Sequence, residues 1–415
     1  MNAAQAEAYL LDLELFGMRF GLDRMHKLMT ALGMPQRRFA SIHVVGSNGK
    51  SSTVRFAAGI LAEHGMSVGT YTSPHLRSFA ERIGVDGEPV TGADFANAVA
   101  RVARAAELVN RTAAEDDRVT QFEALTAAAY HELARRGVEV AVIEAGLGGR
   151  WDATNVIPSR VQALTSVGLE HTRWLGPTVR HIAEEKLAVV QGHATLVVAP
   201  DLHPDAMDVA ERVARERTAR LVVAPAAGAE LEPLRARGAF QRRNFAVARS
   251  AAGALLGERL DDAAVARAAA SVEVPGRMQV VAERPLTIYD GAHNGEGAAA
   301  LAEALPEVTA GRPLVGVVAI LDDKDAAGML RAVLPLCERV VFTRASNPRS
   351  LSPGTLETLA AQLGGPPAES VSDPRRAVAR AQELAGPDGA VVAMGSIYLV
   401  ADLVREPGAA RASML

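Results

Sequence analysis

Four lysines, Lys27, Lys50, Lys186 and Lys324, stand against 40 arginines among the 44 basic residues of this 415-residue chain. Most surface charges can be carried by either side chain. A lysine kept in such a composition is a candidate for work arginine cannot do. It can place a compact charge on a flexible stem, or lose a proton and react as an amine. Lys50 belongs to Gly46-Ser47-Asn48-Gly49-Lys50-Ser51-Ser52, which follows a β-branched run at 41–45 and opens a helical pattern at 50–64. That context predicts a phosphate loop. Glycines let backbone N–H groups turn toward an anion, and a helix N-terminus adds positive potential. Lys50 would reach the β- and γ-phosphates of ATP, and Ser51 or Ser52 would offer a hydroxyl to Mg²⁺. Gly46, Asn48 and Gly49 complete the expected ATP contacts of the loop. Val44 stands where the full Walker pattern has glycine, so this is the shorter G-x-x-G-K-S form. An ordinary strand–helix turn is the competing reading.

Glu144 ends a second apolar run, 138–143, and precedes Ala145-Gly146-Leu147-Gly148-Gly149-Arg150. A carboxylate at a strand's C-terminal end, beside a phosphate loop, lies where parallel sheets bind ligands. Mg²⁺ prefers oxygen ligands, which suits Glu144 and a hydroxyl such as Ser73. His171 follows Glu170 past another strand, 161–167. As bare patterns, His171 reads as a loop residue and Glu170 as a solvated loop acid. Lys186, in Ala183-Glu184-Glu185-Lys186-Leu187-Ala188, reads as a salt-bridged helix face.

Placing these residues requires alternating strands and helices. Strand runs at 41–45, 138–143, 161–167, 196–199 and 221–223 alternate with helical stretches at 50–64, 179–190, near 205–217 and at 244–256. Pro275-Gly276 interrupts the pattern, and strands at 287–289, 313–318, 339–342 and 390–393 resume it. Such alternation argues for mainly parallel sheets covered by helices. The expected fold is α/β: a P-loop ATPase-like N-terminal domain over 1–274, then a smaller Rossmann-like domain over 275–415. The stretch 111–118 reads as a polar loop. Hydrophobic residues make up 49% of the chain, which fits packed domains, and the net charge of −4 with no basic block argues against nucleic acid. Cys337 is the single cysteine, so no intrachain disulfide forms and a reducing compartment is expected. No apolar run reaches the roughly 18 residues of a spanning helix, and 1–21 lacks a signal-peptide core. A cytoplasmic protein without membrane contact follows.

Taken together and in order, the blocks resemble the Mur-type ATP-dependent amide ligases, specifically folylpolyglutamate synthase / dihydrofolate synthase. The resemblance runs nearly the whole chain. It includes 17–24, 43–53, Thr72-Ser73-Pro74-His75-Leu76, Glu81-Arg82-Ile83 and Phe122-Glu123-Ala124-Leu125-Thr126. It continues through 144–155, Glu170-His171, Glu185-Lys186, 241–244, Pro275-Gly276-Arg277, Asp290-Gly291-Ala292-His293-Asn294, 321–325 and Gly395-Ser396-Ile397-Tyr398-Leu399. Single blocks are weak; their order is specific.

The resemblance implies that L-glutamate is joined to a pterin or folate carboxylate through an acyl phosphate made from ATP, with ADP and phosphate released. Ser73, Glu144 and His171 would hold Mg²⁺, and a monovalent cation is left open. Lys186 would be carbamylated. Asn244, Arg277 and Asp290 would contact ATP, and His293 would lie near the γ-phosphate and the amino acid. The pterin would lie near Gly21, Leu22, Phe122, Asp152, Ala153 and Thr154. The two domains would close over the nucleotide, and the enzyme is expected to be a monomer. Three positions depart from the family's usual pattern: Glu170 for aspartate, Ser51 for glycine, and Leu187-Ala188 for Ala-Gly. The rival readings are a ligase for another carboxylated cofactor or cell-wall precursor, and a P-loop module without ligase activity. Only 45 residues precede Gly46, few for the UDP-sugar domain of cell-wall ligases.

Overall fold

The computed structural model describes residues 1–13, 21–114, 117–226 and 233–406. The 17–24 block therefore lies outside the described residues at 17–20. Within the described residues the chain separates into two compact units. One comprises 1–233 and 243–272, the other 234–242 and 273–406.

In the first unit, α1 (Ala3–Asp12) and α2 (Asp23–Ala31) lead to β1 (Ala40–Val45), α3 (Lys50–Glu63) and β2 (Val68–Tyr71). Then come β3 (Ile83–Val85), β4 (Glu88–Pro89), α4 (Gly92–Asn110), α5 (Gln121–Arg136), β5 (Val140–Glu144) and β6 (Val161–Leu164). The short α6 (Thr172–Leu175) and α7 (Val179–Leu187) precede β7 (Thr195–Val198), α8 (Pro204–Glu216) and β8 (Arg220–Val223). Helices α9 (Ala239–Leu256), of which 243–256 group here, and α10 (Asp262–Ser271) complete it. The sheet order is β4-β3-β2-β5-β1-β6-β7-β8, parallel except for β3 and β4. β1 lies between β5 and β6, with Val44 opposite Glu144 and Val45 opposite Leu164. Strands covered on both faces read as continuous apolar runs, and β5 is buried at every residue. One apolar core gathers Leu10, Met25, Val99 and Leu125 from α1, α2, α4 and α5. Another gathers Ile182, Leu187 and Val209 from α7 and α8.

The second unit begins with β9 (Gln279–Glu283), antiparallel to β10 (Leu286–Tyr289). It continues with α11 (Gly295–Thr309), β11 (Leu314–Val318), α12 (Ala326–Val333) and β12 (Arg339–Phe342). Helix α13 (Pro353–Gln362), β13 (Ala368–Ser370), α14 (Pro374–Ala385), β14 (Ala390–Met394) and α15 (Ile397–Val404) end it. Its sheet order is β13-β12-β11-β14-β10-β9.

The α/β architecture with mainly parallel sheets is as expected. Several boundaries differ. The strand at 161–167 stops at Leu164, because Thr165 and Ser166 turn to bond the 46–48 loop. The strand at 138–143 runs instead from Val140 through Glu144, which stays in register with β1. Helix α7 ends at Leu187 rather than 190, and α9 begins at Ala239, five residues before the expected start. No described helix is long and apolar enough to cross a membrane.

His43 sits inside β1, fully buried, and burial pushes its imidazole down to about 4. The unfolded chain binds a proton near pH 6.5, whereas the folded chain resists it until about 4. Between those values the unfolded state carries more protons, so stability rises with pH. We expect stability from urea unfolding to fall by about 2 kcal/mol between pH 7 and 4.5 from this group alone, and His43→Gln to flatten that limb.

Candidate active site

The loop after β1 leads straight into the N-terminus of a helix. Helices α4, α5 and α7 start with a side-chain cap, from Thr91, Thr120 and Thr178. Helix α3 starts at Gly49 with none. The first N–H groups of a helix lack intrahelical partners, so those of its first turn can take an anion. Gly49 is in left-handed backbone (φ 85°), and a Cβ there would run into Asn244 Oδ1. Asn244, buried on α9, thus lies against the loop. The connection after β6 braces the loop from the other side. Ser47 N donates to Ser166 O (2.9 Å), Asn48 N to Ser166 Oγ (2.8 Å), and Thr165 Oγ1 to Asn48 O (2.6 Å). Lys50 Nζ folds across the loop and donates to Gly46 O (2.9 Å) and Ser47 O (3.1 Å).

Glu144 ends β5, buried beside this turn. Its Oε1 accepts from Ser51 Oγ (2.9 Å) and its Oε2 from Ser73 N (3.1 Å). The structure thus brings together Ser51, Ser73 and Glu144, while Ser52 is buried in the first turn of α3. His171 sits exposed in left-handed backbone (φ 47°) at the start of α6. Among the described residues no three His, Cys, Asp or Glu side chains form a metal cage. A carboxylate and a hydroxyl nonetheless suit a hard cation that draws its other ligands from phosphate oxygens and water, as Mg²⁺ does.

Glu170 is not a solvated loop acid. Its carboxylate is buried against Lys186, with Oε1 2.9 Å from Nζ, and Lys186 also donates to Gly46 O (3.0 Å). Burial raises the Glu170 carboxyl, but the charges of Lys186 and Lys50 outweigh it and hold the group below the usual carboxylate range. Burial pushes the Lys186 amine down against the pull of Glu170. Nor is Lys186 a surface salt bridge: α7 turns it inward, and Glu185 on the outer face takes Arg150 instead (2.8 Å). Gly149 approaches the end of α7 so closely that a Cβ would lie 2.5 Å from Lys186 O. Arg150 N donates to Glu185 O (2.9 Å), which straps the loop after β5 to the lysine's helix.

The residues expected near a pterin also converge. Leu22 precedes α2 and packs on the same core as Phe122 at the start of α5, with Gly21 half-buried beside it. Arg24, buried on α2, gives its Nε to both Glu123 oxygens (3.1 Å each) and pairs with Asp117. Glu123 also closes the capping box with Thr120. This clamp fixes Phe122, whose ring lies 6.2 Å from that of Tyr71. Asp152 caps the turn Ala153–Val156, which α2 contacts. Its Oδ2 accepts from Leu147 N (2.8 Å) and its Oδ1 from Thr154 N (3.0 Å). Burial raises the Asp152 carboxyl, partly offset by these bonds. Arg24 and Glu170 were missed from sequence. Charge pairing across 93 to 99 residues leaves no local signal, and Glu170 shows only as a departure from the family pattern.

In the second unit Asp290 directly follows β10, buried, accepting from Met278 N (2.8 Å) and Ala292 N (2.7 Å). Burial raises its carboxyl, against the nearby Arg277. Arg277 Nη1 donates to Gly276 O (3.0 Å). His293 Nδ1 lies 2.9 Å from Gly291 O, so Nδ1 carries the hydrogen. Lys324 pairs with Asp323 (3.1 Å), while Asp325 caps α12.

The chain resembles known proteins over most of its length. The family model "Mur ligase, glutamate ligase domain" matches residues 276–397. A dihydrofolate synthase/folylpolyglutamate synthase of Mycobacterium tuberculosis is 33% identical over 83% of this chain and 78% of its own length. A probable bifunctional folylpolyglutamate synthase/dihydropteroate synthase of Haloferax volcanii is 34% identical over 97% of this chain. The chain spans 50% of that relative's length. The solved structure of Mycobacterium tuberculosis folylpolyglutamate synthase complexed with ADP superposes with TM-score 0.89 at 30% identity, covering 97% of each chain.

Gly49→Ala forces a strained backbone and a collision with Asn244; we expect the Kd for ATP to rise about tenfold or more by calorimetry. Glu170→Gln leaves Lys186 without its buried partner, and chemical denaturation should show a loss of about 3 kcal/mol.

Proposed function

Since the chain belongs to the folylpolyglutamate synthase / dihydrofolate synthase family of Mur-type ligases, we propose a residue-level account of how it joins L-glutamate to a pteroate or folate carboxylate at the expense of ATP. The enzyme is an ATP-dependent acid–amino-acid ligase of folate metabolism. A carboxylate is a poor electrophile, so ATP first phosphorylates it to an acyl phosphate. The glutamate amine then attacks through a tetrahedral intermediate, and phosphate leaves with ADP already formed.

The observation that carries the site assignment is the uncapped first turn of α3, with Lys50 and Glu144 beside it. In this reading Gly46, Asn48, Gly49, Lys50, Ser51 and Ser52 bind the phosphates. Lys50 leaves its loop carbonyls to neutralise charge on the transferred phosphoryl group. Ser73, Glu144 and His171 would hold Mg²⁺, which when bound polarises phosphoryl oxygens. Asn244 contributes to the nucleotide site, supported by its place against Gly49. Arg277 and Asp290 for ATP, and His293 for the γ-phosphate and glutamate, rest on the family resemblance, as do domain limits of 1–274 and 275–415. Phe122 offers a ring face to a pterin, and Asp152, Ala153, Thr154, Gly21 and Leu22 line its place. Lys186 is assigned as a carbamate: the free amine adds to CO₂, releases one proton and becomes an anion. Burial, which favours the unprotonated amine, supports this, and Glu170 must yield the lysine first. A monomeric, cytoplasmic enzyme is the matching cellular reading.

With ATP, Mg²⁺, dihydropteroate and glutamate, phosphate should be released only when both co-substrates are present. Hydrolysis at full rate without glutamate would refute the ligase assignment. Lys186→Ala should be inactive and partly rescued by acetate; activity indifferent to acetate removes the carbamate.

A further inference from the structure

One buried group beside the pterin residues has no part in the scheme above. His43 lies three residues before the phosphate loop, inside β1, with its Nε2 2.8 Å from Thr154 Oγ1. Thr154 Oγ1 is itself in short hydrogen-bond contact with Asp152 Oδ1. A threonine hydroxyl has one hydrogen to give. Both Asp152 oxygens already accept backbone N–H groups, Leu147 N on Oδ2 and Thr154 N on Oδ1, as an ionised carboxylate does. The hydroxyl hydrogen therefore goes to Asp152, and Thr154 Oγ1 must accept from His43 Nε2–H. The other ring nitrogen fits this tautomer: Nδ1 is buried and, among the described residues, has no hydrogen-bond partner, as a bare nitrogen. Gln162, opposite His43 on β6, spends its amide N–H groups on Ser159 O (2.9 Å) and Ser159 Oγ (2.7 Å). Tyr130 OH fixes the same turn by donating to Thr154 O (2.8 Å).

We propose that His43 is a positioning residue for substrate binding: it donates through Thr154 to Asp152, fixes the direction of that three-group chain, and keeps Asp152 an acceptor facing the pterin. A ligand rich in adjacent N–H donors, as the aminopyrimidine edge of a pterin is, requires an acceptor in fixed orientation. Hydrogen bonds in such a chain polarise one another, so the imidazole acts on a group it does not touch. This rests on the assignment of Asp152 to the pterin site.

The test uses four substitutions and steady-state kinetics. His43→Met fills the space without a donor, and His43→Gln restores an N–H near the Nε2 position. Asp152→Asn probes the assignment beneath. We expect His43→Met to raise KM for dihydropteroate about tenfold, equivalent to about 1.4 kcal/mol, with KM for ATP unchanged. His43→Gln should recover most of that loss. Thr154→Val should give the same loss alone or combined with His43→Met, and it carries the test should His43→Met fail to fold. An unchanged pterin KM in His43→Met, an equal rise in both KM values, additive losses, or no recovery in His43→Gln overturns the proposal. Asp152→Asn separates the two failures. If it leaves pterin KM unchanged, the pterin assignment itself falls. If it raises that KM while His43→Met does not, only the role of His43 falls.

Discussion

The first turn of α3 begins without a side-chain cap, and much of the first unit follows from that deficit. Backbone amides that find no partner must be met by something. Here β1 ends at the loop, so the helix's positive end opens at the C-terminal edge of the sheet. Everything around the turn holds the deficit open rather than filling it. Thr165 and Ser166 bond the loop's outer atoms, Asn244 presses on Gly49, and Lys50 rests on two carbonyls. A polyphosphate would supply the missing acceptor, and its charged oxygens would offer the lysine a stronger partner than two neutral carbonyls.

The second determinant is the buried pair Lys186–Glu170. Two charges removed from water are stable only while each keeps its partner. Gly46 O supplies a further acceptor for the amine, so the pair is tied to the phosphate loop as well. The strap between Arg150 and Glu185 links the same helix to the segment that carries Asp152. The phosphate-loop residues and those proposed for the pterin are therefore joined through short covalent and hydrogen-bonded paths within the first unit.

What could be read from sequence was whatever is local. The phosphate loop, Glu144 at a strand end and the alternation of strands with helices all depend on neighbours within a few residues. Strand ends were misplaced where a distant segment decided them, as at Thr165, whose hydroxyl serves a loop more than a hundred residues earlier. The helices α1 and α4 and the strand β2 carried no motif and went unremarked, yet they join α2 and α5 in the core beneath Phe122. Glu170 was misread because its partner lies 16 residues on, across a turn, and burial is a tertiary property. Arg24 and His43 have the same excuse: their partners lie 99 and 111 residues away.

The scarcity of lysine acquires a practical side from where the four sit. Lys186 is sealed in the core, Lys50 is folded onto its loop, and Lys324 keeps 16% of its side chain exposed beside Asp323. Lys27 alone is exposed, on the outer face of the helix that Leu22 begins. An amine-reactive dye at limiting dose would thus mark essentially one side chain, apart from the α-amino group. The label would ride on the very helix whose first turn borders the residues proposed for the pterin, making the native protein a ready-made fluorescent reporter with no engineered cysteine.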